Sequence, residues 1–195
     1  MNVPCIGIIV GTTREGRFSE RPAAWIHQLA SARSDAEYEL VDLRDHPLPF
    51  FNEPMSPASA PPKGSAAAAW SRTLERFDGF IVVTAEYNRG APAVLKNAFD
   101  FAYAPWARKP VAFVGHGGTG ASRAVEQLRL VSINLRMAPM SSAVHIGMAE
   151  FLGIRTQGKS FEDFPQLEQS AKQMLDELSW WVKVLKPARD PIDRT

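Results

Sequence analysis

Residues 79–103 read GFIVVTAEYNRGAPAVLKNAFDFAY, and their change of pattern decides the fold. Phe80 to Thr84 form an unbroken apolar run rich in β-branched residues, which suits a strand buried on both faces of a parallel sheet. The chain then turns polar through Glu86, Tyr87, Asn88, Arg89 and Gly90, so a loop follows the strand's carboxyl end. From Ala93 the apolar period lengthens: Val94, Leu95, Ala98, Phe99 and Ala102 share one face of a helix. Strand, short polar loop and amphipathic helix form one unit of an open α/β sheet, where ligands sit beyond the carboxyl ends of strands.

Outward from this unit the pattern repeats. Pro4 to Val10 is a second buried strand, and it runs into Gly11-Thr12-Thr13-Arg14-Glu15-Gly16-Arg17-Phe18-Ser19 ahead of a helix with Pro22 in its first turn. Hydroxyls, glycines and two arginines before a helix N-terminus suit a phosphate. Tyr38–Asp42 reads as another strand and Pro110–Gly115 as the next, ending in His116-Gly117-Gly118-Thr119-Gly120. Met140–Ile146 is the fifth strand, and Phe164 to Leu185 mark a final amphipathic helix. His46 to Gly64 holds six prolines, which exclude helix and central strand. Its Phe50, Phe51 and Met55 are expected to lie over a surface, at the rim of the pocket.

The composition narrows the class. A chain of 195 residues is read as one domain over 1–187 with a tail at 188–195. Net charge of +1 gives no reason to expect nucleic acid or an anionic membrane. Cys5 is the single cysteine, so no internal disulfide forms, and with no basic leader and no apolar run of spanning length the expected location is cytoplasmic. His27, His46, His116 and His145 lack metal-ligand spacing, and no metal is expected.

Glu86-Tyr87-Asn88, Pro92 and Leu95-Lys96-Asn97-Ala98-Phe99-Asp100, together with the Thr12–Ser19 loop, resemble the signature of the NADPH-dependent FMN reductases. Ala85 stands where that family usually has Pro. The resemblance implies a flavodoxin-like three-layer sandwich with a five-stranded parallel sheet of order 2-1-3-4-5. It implies FMN as cofactor, NADPH or NADH as co-substrate, and a quinone, flavin or similar small-molecule electron acceptor. Carried over, Thr12, Thr13, Arg14, Arg17 and Ser19 face the phosphate, with Phe18 among the cofactor-binding residues of the same loop. Ala85, Glu86, Tyr87 and Asn88 pass the ring, and His116, Gly117 and Gly118 approach its pyrimidine side and the nicotinamide pocket. Tyr87 and Asn88 are the residues nearest the chemistry. A non-enzymatic FMN-binding electron carrier or redox sensor is the alternative. A homodimer, or a tetramer of dimers, is expected because Phe99, Phe101, Tyr103 and Trp106 offer more aromatic surface than one helix face buries.

Overall fold

A computed structural model describes residues 3–189. Five parallel strands, β1 (Cys5–Val10), β2 (Glu37–Asp42), β3 (Gly79–Ala85), β4 (Pro110–His116) and β5 (Ala138–Ile146), form one sheet in the order β2-β1-β3-β4-β5. The three inner strands are the apolar runs of the sequence, and every residue of β3 and β4 is buried. Among the described residues six α-helices cover the sheet: α1 (Glu20–Ser31), α2 (Ser65–Glu75), α3 (Ala93–Asp100), α4 (Ser122–Asn134), α5 (Met148–Thr156) and α6 (Pro165–Arg189).

The alternation of side chains along each strand divides the core in two. Ile6, Ile8, Val10, Ile81, Val83, Ala112 and Val114 pack with α1, α5 and α6. Ile9, Phe80, Val82, Val111 and Phe113 pack with α2, α3 and α4 on the other face. The last helix is tied back to the start of the sheet. Asp78, just before β3, accepts the Cys5 N–H at 3.0 Å and Lys186 Nζ at 2.6 Å, and also pairs with Arg189. Burial and the neighbouring Glu39 and Glu37 carboxylates push the Cys5 thiol pKa up, so it stays an unreactive part of β1.

Three expectations change. Three of the four aromatic side chains assigned to a dimer face are internal: Phe99, Phe101 and Trp106 are buried around the α2–α3 layer, with Trp106 4.8 Å from Phe80 and 4.9 Å from Phe99, while Tyr103 is half-buried. The 3-10 turn Ala104–Trp106 swings Trp106 under the helix, which a helical projection does not foresee. The proline segment does not line the cavity at the carboxyl ends of the strands; it lies on α3, where Asn97 accepts the Phe51 N–H at 2.9 Å and donates to Pro49 O at 2.7 Å. Finally, α6 continues through Pro187 to Arg189, so the first two residues assigned to the tail are helical. Residues 190–195 of that tail lie outside the described residues.

Candidate active site

The carboxyl ends of β1, β3 and β4 open into a cavity of about 250 Å³. Three loops and α5 build it. From the first loop Arg14, Arg17, Phe18 and Ser19 line it; from the second, Ala85, Glu86 and Tyr87; from the third, His116, Gly117 and Gly118. Thr12 is fully buried beneath the loop, and Thr13 and Asn88 are exposed away from the lining. Glu15, Gly16, Phe151 and Arg155 complete the wall and were not foreseen. Phe151 and Arg155 lie on α5, whose apolar residues follow no clean helical stripe, so no periodic signal announced it.

The first loop folds around Arg17. Its guanidinium forks onto the Asp42 carboxylate, reaches Thr12 O, and meets Glu20 at 3.0 Å. The side chain is only 2% exposed, so this charge is spent inside the protein. Burial pushes the Asp42 carboxyl up, but the Arg17 hydrogen bonds, the Arg44 N–H and both guanidinium charges outweigh it and hold the group below its ordinary range. Arg14 is different. It lies over the Tyr87 ring at 5.4 Å, and no carboxylate pairs with it among the described residues. The backbone N–H groups of Arg14, Glu15, Gly16, Phe18 and Ser19 have no acceptor among the described residues.

Ser19 explains why that helix end stays open. It stands at the N-cap of α1, yet its hydroxyl makes no cap hydrogen bond. Thr12 Oγ1 donates to Ser19 Oγ at 2.7 Å, and Ser19 Oγ lies 2.7 Å from His116 Nε2. The Ser19 hydroxyl can donate to Nε2 while accepting from Thr12, and a ring held in that way carries its proton on Nδ1. Nδ1 has no hydrogen-bond partner among the described residues, and His116 lines the cavity. Burial, with the Arg155 charge adding to it, lowers the His116 pKa to about 4, so the ring is neutral near pH 7. Phe18 meets this ring edge-on at 5.2 Å and holds it in place.

The second loop is a tight turn. Tyr87 N–H donates to Gly90 O at 2.9 Å, Gly90 N–H returns to Tyr87 O at 3.0 Å, and Asn88 and Arg89 both have positive φ. The Tyr87 N–H is therefore consumed by the turn and is not a donor to a ligand. Gly117 N–H is likewise taken, by Ile146 O at 3.1 Å. Glu86 is a brace rather than an acid or base. It accepts the Arg123 N–H at 3.1 Å and Arg123 Nε at 2.7 Å, joining the second loop to the N-terminus of α4. Burial raises the Glu86 pKa, but the Arg123 hydrogen bonds and charge more than reverse it.

A cavity at the switch point of such a sheet, with an anion cradle on one side and an aromatic ring on the other, is where a mononucleotide sits. Residues 4–151 match the family model for NADPH-dependent FMN reductase. The chain belongs to that family. It is 35% identical over 145 residues to an NAD(P)H-dependent FMN reductase of Schizosaccharomyces pombe, covering 72% of each chain. It is 32% identical over 196 residues to a quinone reductase of Pseudomonas putida, covering 92% of this chain and 95% of the relative. Among solved structures, FerB, a flavoenzyme NAD(P)H:(acceptor) oxidoreductase from Paracoccus denitrificans, superposes with a TM-score of 0.70 at 22% identity, covering 94% and 99% of the two chains. FMN is thus the cofactor and NAD(P)H the co-substrate, and the FMN reductase carries the flavodoxin-like order its sequence implied. The residues present fit the group: unpaired loop N–H groups, a helix end without a side-chain cap, and an unneutralised Arg14 suit a phosphomonoester. Among the described residues no helix is long and apolar enough to cross a membrane.

Proposed function

We propose that this FMN reductase passes hydride equivalents from NAD(P)H to a quinone. The observation that carries the reading is the open N–H cradle beside Arg14, in one cavity with Tyr87 and neutral His116. FMN, when bound, supplies the two-electron chemistry. The chain's own residues bind and orient it. Arg14 and the N–H groups of residues 14–16, 18 and 19 take the phosphate, while Arg17 shapes the loop by holding Asp42. Tyr87 flanks the ring, and His116 offers a proton at Nδ1 that Ser19 fixes from behind. Relatives named for quinone and 2-hydroxy-1,4-benzoquinone reduction support a quinone as acceptor.

One opening serves donor and acceptor in turn, so ping-pong kinetics with mutual competition are expected. The working unit is read as a homodimer, since a 250 Å³ cavity is below the roughly 300–1,000 Å³ of sites that enclose a ligand. The test is an anaerobic titration of FMN-loaded protein with NADPH, followed at the flavin absorbance band, then addition of a benzoquinone. Bleaching by NADPH and recovery on adding quinone are expected. Flavin that stays oxidised under NADPH would refute the reductase reading, and bleached flavin that the quinone does not restore would refute the acceptor.

A further inference from the structure

At the opposite end of the sheet, where β4 and β5 begin, a second cavity of about 460 Å³ is larger than the flavin site. Arg108, Lys109, Arg136 and Arg189 line it with one carboxylate, Glu75, which accepts the Ser71 hydroxyl at 3.1 Å. Tyr103, Ala104, Pro105 and Ala107 supply the apolar part of its lining. Arg189 is engaged by Asp78, and Lys109 donates to Leu74 O at 2.8 Å. Arg108 and Arg136 stand apart: their guanidinium groups have no acceptor among the described residues.

The backbone sets these two side by side. Arg108 N–H donates to Arg136 O at 2.8 Å, and Ala138 N–H to Lys109 O at 3.0 Å. Both arginines adopt left-handed φ, 60° for Arg108 and 61° for Arg136. Arg136 occupies the position just past α4 in a Schellman turn, with Met137 N–H on Ser132 O at 2.9 Å and its own N–H on Ile133 O at 3.0 Å. Glycine is the residue this turn favours, because a Cβ is strained there. Each arginine thus carries a backbone strain that glycine would avoid, and the two lie side by side at one cavity.

We propose that this cavity binds a phosphorylated small molecule carrying an aromatic ring, with Arg108 and Arg136 taking a diphosphate and Tyr103 flanking the ring. Planar guanidinium forks match phosphate oxygens in pairs. The site is independent of the flavin cavity, since it lies at the amino rather than the carboxyl ends of the strands. The probes are ADP and inorganic pyrophosphate, titrated calorimetrically into the full-length protein with FMN in excess, at physiological ionic strength to suppress nonspecific surface binding.

Both probes are expected to bind in the micromolar range, ADP several-fold tighter because it reaches the Tyr103 wall. The variant Arg108→Gly/Arg136→Gly suits both left-handed positions, so its melting temperature should not fall and its FMN affinity should be unchanged. Its affinity for both probes should drop at least tenfold. Absence of binding below millimolar concentration, or equal binding by the variant, would overturn the proposal. Pyrophosphate binding as tightly as ADP would overturn the part given to Tyr103.

Discussion

At the residue scale, two arginines three positions apart in one loop do different work. Composition treats Arg14 and Arg17 alike; the fold separates them because Asp42, at the end of β2, captures Arg17. Arg14→Ala is therefore expected to weaken FMN binding about ten- to a hundredfold, the loss of one charge-assisted contact of roughly 1.5–3 kcal/mol. Riboflavin, which lacks the phosphate, should bind the variant as it binds the parent. Arg17→Ala should weaken both ligands together and lower the melting temperature, since it leaves Asp42 without its main partner. Fluorescence titration of both ligands separates the cases, and an Arg14→Ala protein with unaltered FMN affinity would remove Arg14 from the site. His116 gives a second residue-level expectation. Its folded pKa of about 4 lies below the ordinary 6.5, so between these values the unfolded chain binds the proton and the folded one does not. The stability contributed is complete above about pH 6.5 and is lost as pH falls toward 4, by up to about 3 kcal/mol. Urea unfolding of the parent and His116→Gln at pH 7 and pH 4.5 should show the stability gap between them change with pH; a constant gap would contradict the neutral, buried ring.

At the element scale, the loops rather than the strands set the chemistry, and β4 shows how tightly they are seated. A Cβ at Gly115 would fall on Gly120 O, well inside contact, and within 3.0 Å of Ala121 Cβ. The loop from Gly117 to Gly120 folds back directly over its own strand, and only a bare Cα permits that approach. Gly115→Ala should cost about 1–3 kcal/mol of stability, as overpacking does. It should also weaken FMN binding, because His116 and Gly117 move with the strand end. Thermal melting with an FMN titration checks both, and a variant with parental affinity would detach the third loop from the cofactor. Much of this was readable from sequence at the level of elements. Unbroken apolar runs marked the inner strands, and loop residues at fixed offsets marked three of the four walls. The fourth wall, α5, escaped because Met148, Phe151, Leu152 and Ile154 spread around the helix without a single stripe. Consumed donors escaped too: nothing in the sequence told that Tyr87 N–H would close a turn on Gly90.

At the scale of the whole molecule, the order β2-β1-β3-β4-β5 brings loops from residues 12, 86 and 116 to one crevice, and that convergence was legible only through the family resemblance, which supplied the strand order. What hydrophobicity alone did not reveal is where a large apolar side chain ends up. Trp106 and Phe101 read as surplus surface but are core, because the turn after α3 carries them beneath α2. The surplus lies elsewhere. On α4, Leu130 and Ile133 are three residues apart on one face and are 69% and 59% exposed. Two such side chains on one helix face are a natural centre for a two-fold contact, in which the same patch meets itself. A stable interface buries about 800 Å² per partner, so the surrounding surface of α4 and its neighbours has to join. Light scattering at micromolar concentration should give a dimer mass for the parent. Leu130→Glu/Ile133→Glu places four carboxylates across the two-fold and should give monomers with intact far-ultraviolet dichroism. If the partner completes the flavin cavity, those monomers should also bind FMN at least tenfold more weakly. A monomeric parent would overturn the dimer, and a variant that remains dimeric would move the interface off α4.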